Sequence, residues 1–211
     1  MIKTQLMVLK KIKYKETSLI IHGLSPEFGR LDLLAKGALK NSSGKFPVID
    51  MFQVLNVEFK NKDENSLHLI YEAELVKAHP NIASNLDCFV GGMKISTLIL
   101  KNSYPGIPAP QTYAALLHAI GNLAAATEGA KVWSFEQSIA ALKAVHLHEN
   151  GLLPESFDMD SSLDKRQVQF IHKLLESATT GKALPKCDVG YWKKLDNWLS
   201  ALYEFHNLKI N

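Results

Sequence analysis

The side chains best able to do chemistry near the start of the chain are lysines, with one tyrosine among them. Residues 1–45 hold nine bases (Lys3, Lys10, Lys11, Lys13, Lys15, Arg30, Lys36, Lys40 and Lys45) against three acids (Glu16, Glu27 and Asp32), a net of +6. The whole chain carries only +3, and from Ala78 onward twelve bases meet twelve acids. Cations concentrated in one third of a sequence suit a polyanionic partner, because each base that neutralises a phosphate releases condensed counterions. The alternative is an ordinary solvated surface, and a fold that gathers these bases on one side decides between the two. Tyr14 sits between Lys13 and Lys15, where its ring can either stack on a nucleic-acid base or pack a turn.

Other reactive residues are less suggestive. His146-Leu147-His148-Glu149 offers two imidazoles and a carboxylate, but positions i and i+2 of a helix do not face each other, so they read as surface histidines rather than a shared metal site. Asp158 and Asp160 lack a third acid at a supporting spacing and read as a solvated loop. Cys88 is expected to pack against a core, and Cys187 falls in a loop with no base partner. Two cysteines in 211 residues make neither a disulfide framework nor a four-cysteine zinc site, and they suit a reducing cytoplasm. Gly29 and Gly37 are expected to relieve backbone constraints, since no dinucleotide or P-loop pattern surrounds them. No catalytic residue, cofactor or metal is expected. A metal-dependent hydrolase using His146, His148, Asp158 and Asp160 is a distant rival.

The elements that must position these residues follow two different periods. With 46% apolar residues, 12 Gly and 8 Pro, the chain is neither disordered nor collagen-like. The N-terminus has too short an apolar run for a signal peptide, and the uncharged stretch from Asn102 to Thr127 is interrupted by Pro105, Pro108 and Pro110. A membrane span is therefore not expected. Up to Lys77 the pattern has period two, predicting strands at Gln5–Ile12, Thr17–Ile21, Phe28–Ala35, Met51–Lys60 and Ser66–Leu75. In the last of these, Leu67, Leu69, Tyr71, Ala73 and Leu75 are expected on one face and His68, Glu72 and Glu74 on the other, and it pairs with Met51–Lys60 through the turn Asn61–Asn65. Five short strands fit a small barrel of OB or SH3-like type.

After Pro80 the period becomes 3.6. One helix is expected to bury Ile82, Leu86, Phe89, Met93, Thr97 and Leu100. A second covers Gln111–Thr127, a third opens at a Ser134/Gln137 capping box, a fourth at a Ser161/Asp164 box, and the last at Asp188. In that last helix Trp192, Trp198 and Phe205 read as core; the rival use is a groove, with Lys193 or Lys194, for an acidic, apolar peptide tail. The expected architecture is α+β, with a five-stranded OB-fold over residues 1–78 and an α-helical bundle over 79–211.

The run Tyr14-Lys15-Glu16-Thr17-Ser18-Leu19-Ile20-Ile21, then Ser25-Pro26-Glu27-Phe28-Gly29-Arg30, then Ala35-Lys36-Gly37-Ala38 resembles the start of the RecO recombination-mediator family. Tyr71–Leu75 resembles that family's fifth strand, and Phe135–Leu142 followed by Gly151-Leu152-Leu153-Pro154 resembles the helix that ends in Gly, apolar, Pro. One departure is clear: many members carry a four-cysteine zinc motif next, where this chain has Glu155–Asp160. The resemblance implies a bacterial, cytoplasmic, nucleoid-associated DNA-repair mediator without enzyme activity. It would bind single- and double-stranded DNA, promote annealing, and work with single-stranded-DNA-binding protein and RecR to load recombinase. Lys10, Lys11, Lys13, Tyr14, Lys15, Arg30, Lys36, Lys40 and Lys45 are the candidate DNA contacts. A scaffold of the same fold with little DNA affinity is the alternative.

Overall fold

The computed structural model describes residues 1–40, 46–60, 67–130, 133–154 and 165–210. Five strands, β1 (Ile2–Tyr14), β2 (Ser18–Ser25), β3 (Gly29–Ala35), β4 (Val54–Lys60) and β5 (His68–Lys77), close into a barrel in the order β1-β2-β3-β5-β4. This is the OB-fold. All neighbours are antiparallel except β3 and β5, whose short parallel seam joins Leu33 to His68 and Leu34 to Leu69. Closure leaves few free edges.

The long strand β1 serves two partners: Ile2–Met7 pairs with β4, and Met7–Tyr14 pairs with β2. A bulge between Val8 and Lys10 interrupts the second ladder. Leu6 and Val8 point into the barrel with Leu19, Ile21, Leu33, Leu55, Val57 and Phe59. Met7 and Leu9 point outward into a second core formed with the helices.

The face expected for β5 is reversed over part of its length. His68 and Ile70 are buried, while Leu67 and Tyr71 are exposed. The cause is a register shift between Glu58 and Phe59 of β4, which pair with Glu72 and Ile70 and so leave Tyr71 as the extra residue. A bulge inverts strand alternation, so the inward set changes to Ala73 beyond it. The Asn61–Asn65 turn lies outside the described residues.

A 3₁₀ turn at Pro80–Ser84 leads into α1 (Leu86–Asn102), α2 (Pro110–Thr127), α3 (Phe135–Glu149), α4 (Lys165–Thr180) and α5 (Val189–Phe205). Asn85, Ser134 and Asp188 cap α1, α3 and α5, and the Ser134/Gln137 capping box is complete. The Ser161/Asp164 box lies outside the described residues.

The buried face of α1 is Gly91, Gly92, Ile95, Ser96, Leu98, Ile99 and Asn102; of the expected stripe, Ile82 is buried in the preceding 3₁₀ turn and Phe89 and Leu100 pack partly against the core, but Leu86 is 77% and Met93 38% exposed. Two glycines select that face, because a Cβ on Gly92 would lie 2.6 Å from the Phe52 ring and one on Gly91 2.9 Å from Phe135. Without side chains of their own, these residues allow the backbone to approach aromatic rings closely. Phe205, expected in the core, is 78% exposed; Tyr203 takes the buried position on α5 beside Leu199.

The helix α2 has no side-chain cap of its own. Its first amides, Gln111 N and Thr112 N, donate to the Glu149 carboxylate of α3 at 2.7 and 2.8 Å. Negative charge at a helix N-terminus is stabilised by the unpaired amides and the helix dipole. Glu149→Ala should therefore cost roughly 1–2 kcal/mol and lower the thermal midpoint by roughly 2–8 °C, measured by circular dichroism. An unchanged midpoint would remove this carboxylate from the helix-docking account.

Candidate nucleic-acid interface

Cross-strand partners share a face of a sheet, so the pairing of β1, β2 and β3 sorts the lysines. On the outer face the rows are Met7–Leu24–Arg30, then Lys10–His22–Asp32, then Ile12–Ile20–Leu34, then Tyr14–Ser18. The first row lies under the helices, where Met7 and Leu24 are fully buried. The last reaches the free tip of the ribbon, where Lys15 adopts φ +54° in the β1–β2 turn. Lys11 and Lys13 belong to the opposite, barrel-facing side, opposite Ile21 and Leu19. Lys10, Lys11 and Lys13 thus lie on the strand itself, and of this group Lys15 alone occupies the turn.

Two depressions meet at this tip. One, of about 580 Å³, is lined by Lys11, Lys13, Lys40 and the segment Phe46–Ile49. The other, of about 350 Å³, is lined by Tyr14, Lys15, Ser18, Leu34, Lys36 and Lys40. Lys40 borders both, and no Asp or Glu lines either among the described residues. Tyr14 is 39% exposed, with the Lys15 ammonium 5.5 Å from its ring centroid. Lys11 is also tied down: its Nζ lies 2.8 Å from an Asp50 carboxylate oxygen. Gly37 adopts φ +77° between Lys36 and Lys40, a left-handed turn that brings both lysines to the same rim. Lys45 lies outside the described residues.

Arg30 is positioned differently. Its guanidinium donates to both Asp32 carboxylate oxygens at 3.2 and 3.0 Å, and a third N–H reaches the Leu100 carbonyl of α1 at 3.1 Å. It joins barrel to helices. Asp32 also accepts from His22 Nδ1 at 2.7 Å. Burial raises the Asp32 pKa, but hydrogen bonds and charge from His22 and Arg30 outweigh it and hold the carboxyl at about 2. This outer-face trio went unread in the sequence, because only the pairing of β2 with β3 sets His22 opposite Asp32.

The histidine reading needs correction. His146 is 3% exposed, not a surface residue. Its Nδ1 lies 2.9 Å from the Tyr203 hydroxyl and its Nε2 3.3 Å from the Asn102 carbonyl. Burial pushes its pKa down, while His148 faces solvent. Both nitrogens of His146 are thus engaged in helix packing, and Glu149 caps α2. No group of three His, Cys, Asp or Glu side chains suited to a metal occurs among the described residues; Asp158 and Asp160 lie outside them. Cys88 packs against the helical core as expected. The Cys187 thiol is pushed up by burial and by Asp188, away from the reactive thiolate. No helix among the described residues is long and apolar enough to cross a membrane.

Comparison with known proteins bears on the same region. The family model for the recombination protein O N-terminal domain matches residues 1–79. The DNA repair protein RecO of Polynucleobacter necessarius is 30% identical over 192 residues, covering 84% of this chain and 76% of that protein. The chain belongs to the RecO family. The RecO of Salinibacter ruber is 26% identical over 64% of this chain and 53% of the relative. The RecO of Polynucleobacter asymbioticus is 36% identical over 44% of this chain and 37% of its own length. In this RecO-family chain the matched N-terminal region contains the lysine-lined tip and the His22–Asp32–Arg30 trio.

The trio has a measurable acid signature. Asp32 is ionised more readily in the folded chain than the ordinary carboxyl at 3.8, so its stabilising contribution is present above that value and is lost as pH falls through about 2. Asp32→Asn should lower unfolding free energy by roughly 2 kcal/mol at neutral pH. The gap to the parent should narrow between about pH 4 and pH 2. Denaturant titrations across that range check it; a gap independent of pH would assign the loss to packing instead.

Proposed function

We propose that this chain is a DNA-binding recombination mediator that holds nucleic acid at the free tip of its barrel and assists strand annealing in DNA repair. The observation that carries this reading is the rim of Lys13, Lys15, Lys36 and Lys40, joined by the Asp50-paired Lys11, around the exposed Tyr14 ring. Lysines there lower repulsion between phosphate backbones, and base edges stay free to pair because phosphate contacts position a strand without reading it. Tyr14 and the outward row Ile12–Ile20–Leu34 offer apolar surface against which unstacked bases can lie, which favours single strands. Such a task requires no nucleophile, general base or metal.

Family membership supports the repair role, and the proposed partners follow from it. Single- and double-stranded DNA engage the barrel, while single-stranded-DNA-binding protein and RecR are the proteins with which the chain hands a strand to recombinase. The working division is residues 1–78 for nucleic acid and 79–211 for the helical support. Lys10 and Lys45 extend the proposed path. Arg30 contributes by fixing the barrel against α1, with its guanidinium donors already directed at Asp32 and Leu100.

Fluorescence anisotropy of a labelled single-stranded oligonucleotide, titrated at several salt concentrations, tests the reading. Tight binding should weaken steeply with salt, and Lys36→Glu with Lys40→Glu should abolish most of it, since two phosphate contacts account for about 1.4 units of the salt slope. Tyr14→Ala should weaken binding by roughly five- to a hundredfold while leaving the salt slope nearly unchanged. No binding at low salt would overturn the DNA assignment in favour of an interaction scaffold.

A further inference from the structure

His22 lies one row inward from the apolar strip of the proposed nucleic-acid face, directly opposite Lys10 on β1 and Asp32 on β3. Its Nδ1 is 2.7 Å from the Asp32 carboxylate. An ionised carboxylate only accepts, so Nδ1 must carry the proton. In the neutral ring Nε2 is then a bare acceptor, and a phosphate oxygen beside it meets a lone pair. Nε2 has no partner among the described residues, and the side chain keeps 17% of its surface in solvent. Protonation turns that acceptor into a charged donor without moving the ring, because the Asp32 contact is preserved.

We propose that His22, held by Asp32 and flanked by Lys10, is a second phosphate contact of the barrel that engages a strand when its imidazole is protonated. The inference rests on the DNA-binding reading and extends the contact path from the Tyr14 tip toward the helices. Asp32 stays ionised throughout, near a pKa of about 2, so it orients the ring over the whole physiological range. The charged groups on the surrounding elements are Lys10 on β1, Arg30 and Asp32 on β3, and Lys101 beside the Leu100 carbonyl on α1. Arg30 offsets the Asp32 charge that a phosphate would otherwise meet, and Lys10 supplies the cation on the open side. A strand seated here adds a favourable partner for imidazolium, so DNA and proton should bind with positive linkage.

The experiment is the same oligonucleotide titration at constant ionic strength between about pH 5.5 and pH 8, a range over which imidazoles can change charge. The full chain should bind roughly three- to tenfold more tightly at the acid end. His22→Asn retains an N–H near the Nδ1 position but cannot gain charge, and it should lose most of that gain. In the parent protein, the imidazole signals of His22 followed by NMR should titrate at higher pH when oligonucleotide is saturating. Binding whose pH response survives in His22→Asn, or ring signals that titrate identically with and without DNA, would overturn this contact and leave the Tyr14 rim intact. Failure of the parent to bind at any pH would overturn both readings.

Discussion

The architecture depends on β1 having two buried faces at once. Most strands of a small barrel place one face inward and one in water, but Leu6 and Val8 fill the barrel while Met7 and Leu9 fill the helical core. Four consecutive residues are each fully buried. The bulge after Val8 then releases the strand, and every residue from Lys10 to Glu16 is exposed. Burying apolar surface on both sides is worth roughly 25 cal/mol for each Å² removed from water, so register at this point is strongly determined. A slip of one residue would exchange the two cores and move the lysines to other rows.

Polar contacts then fix the direction in which the helices meet the barrel. Gly29, at φ +61°, leaves no room for a Cβ: one would lie 2.2 Å from the Ile107 carbonyl oxygen. The β2–β3 turn and the loop before α2 consequently lie backbone to backbone. Ala109 N donates to Pro26 O, Gly106 N to Phe28 O and Arg30 N to Tyr104 O. Asn102 continues the connection: its side chain both donates to the Lys209 carbonyl and accepts from the Lys209 amide, at 2.7 and 2.8 Å. Its own carbonyl lies within hydrogen-bonding distance of His146. In a dry interior an unpaired polar group is costly, so these contacts specify one docking arrangement. All of them lie at the Met7–Leu24–Arg30 end of the outer rows. The described helices leave the Tyr14 end uncovered.

The parts of this arrangement legible in the sequence are those set by local chemistry. Alternation located five strands, and capping residues located α3 and α5, because each signal depends on neighbours within a few positions. What was illegible depended on tertiary contact. The β5 face reversed because of a bulge that alternation does not report. The α1 face was chosen by two glycines lying against Phe52 and Phe135, which an apolar stripe ranks last. The buried Lys143, whose ammonium sits 2.8 Å from Asp196 and 3.0 Å from the Ser200 hydroxyl, reads as surface by composition. His146 does too. The lysines and Tyr14 were legible as candidates, yet their sorting into an outer row, an inner row and a tip required the register of β1 against β2.

Charge is sorted by the same register on the other side of the barrel. Where β1 pairs with β4, the outward positions pair Lys3 with Glu58 and Gln5 with Asn56, and β5 adds Glu72 and Glu74 opposite Glu58 and Asn56. Lys3 and Glu58 are 3.3 Å apart, so that base is partly offset by its own neighbour, while Lys60 and Lys77 stand exposed at the ends of β4 and β5. The depression lined by Lys3, Glu58, Glu72 and Glu74 holds an excess of carboxylates, whereas the β1–β2 ribbon carries Lys10, Lys11, Lys13 and Lys15. The barrel therefore has a polarity that the overall +3 conceals. Under the proposed reading the carboxylates of that depression disfavour a strand that the ribbon attracts, because repulsion and attraction follow the same long-range field. An OB barrel with equal charge all round would offer a strand several competing tracks. Here β1 carries three lysines from Lys10 to Lys13 and borders, along its first half, the depression that holds Glu58, Glu72 and Glu74, so a single strand of the sheet divides a lysine-rich surface from a carboxylate-bearing one.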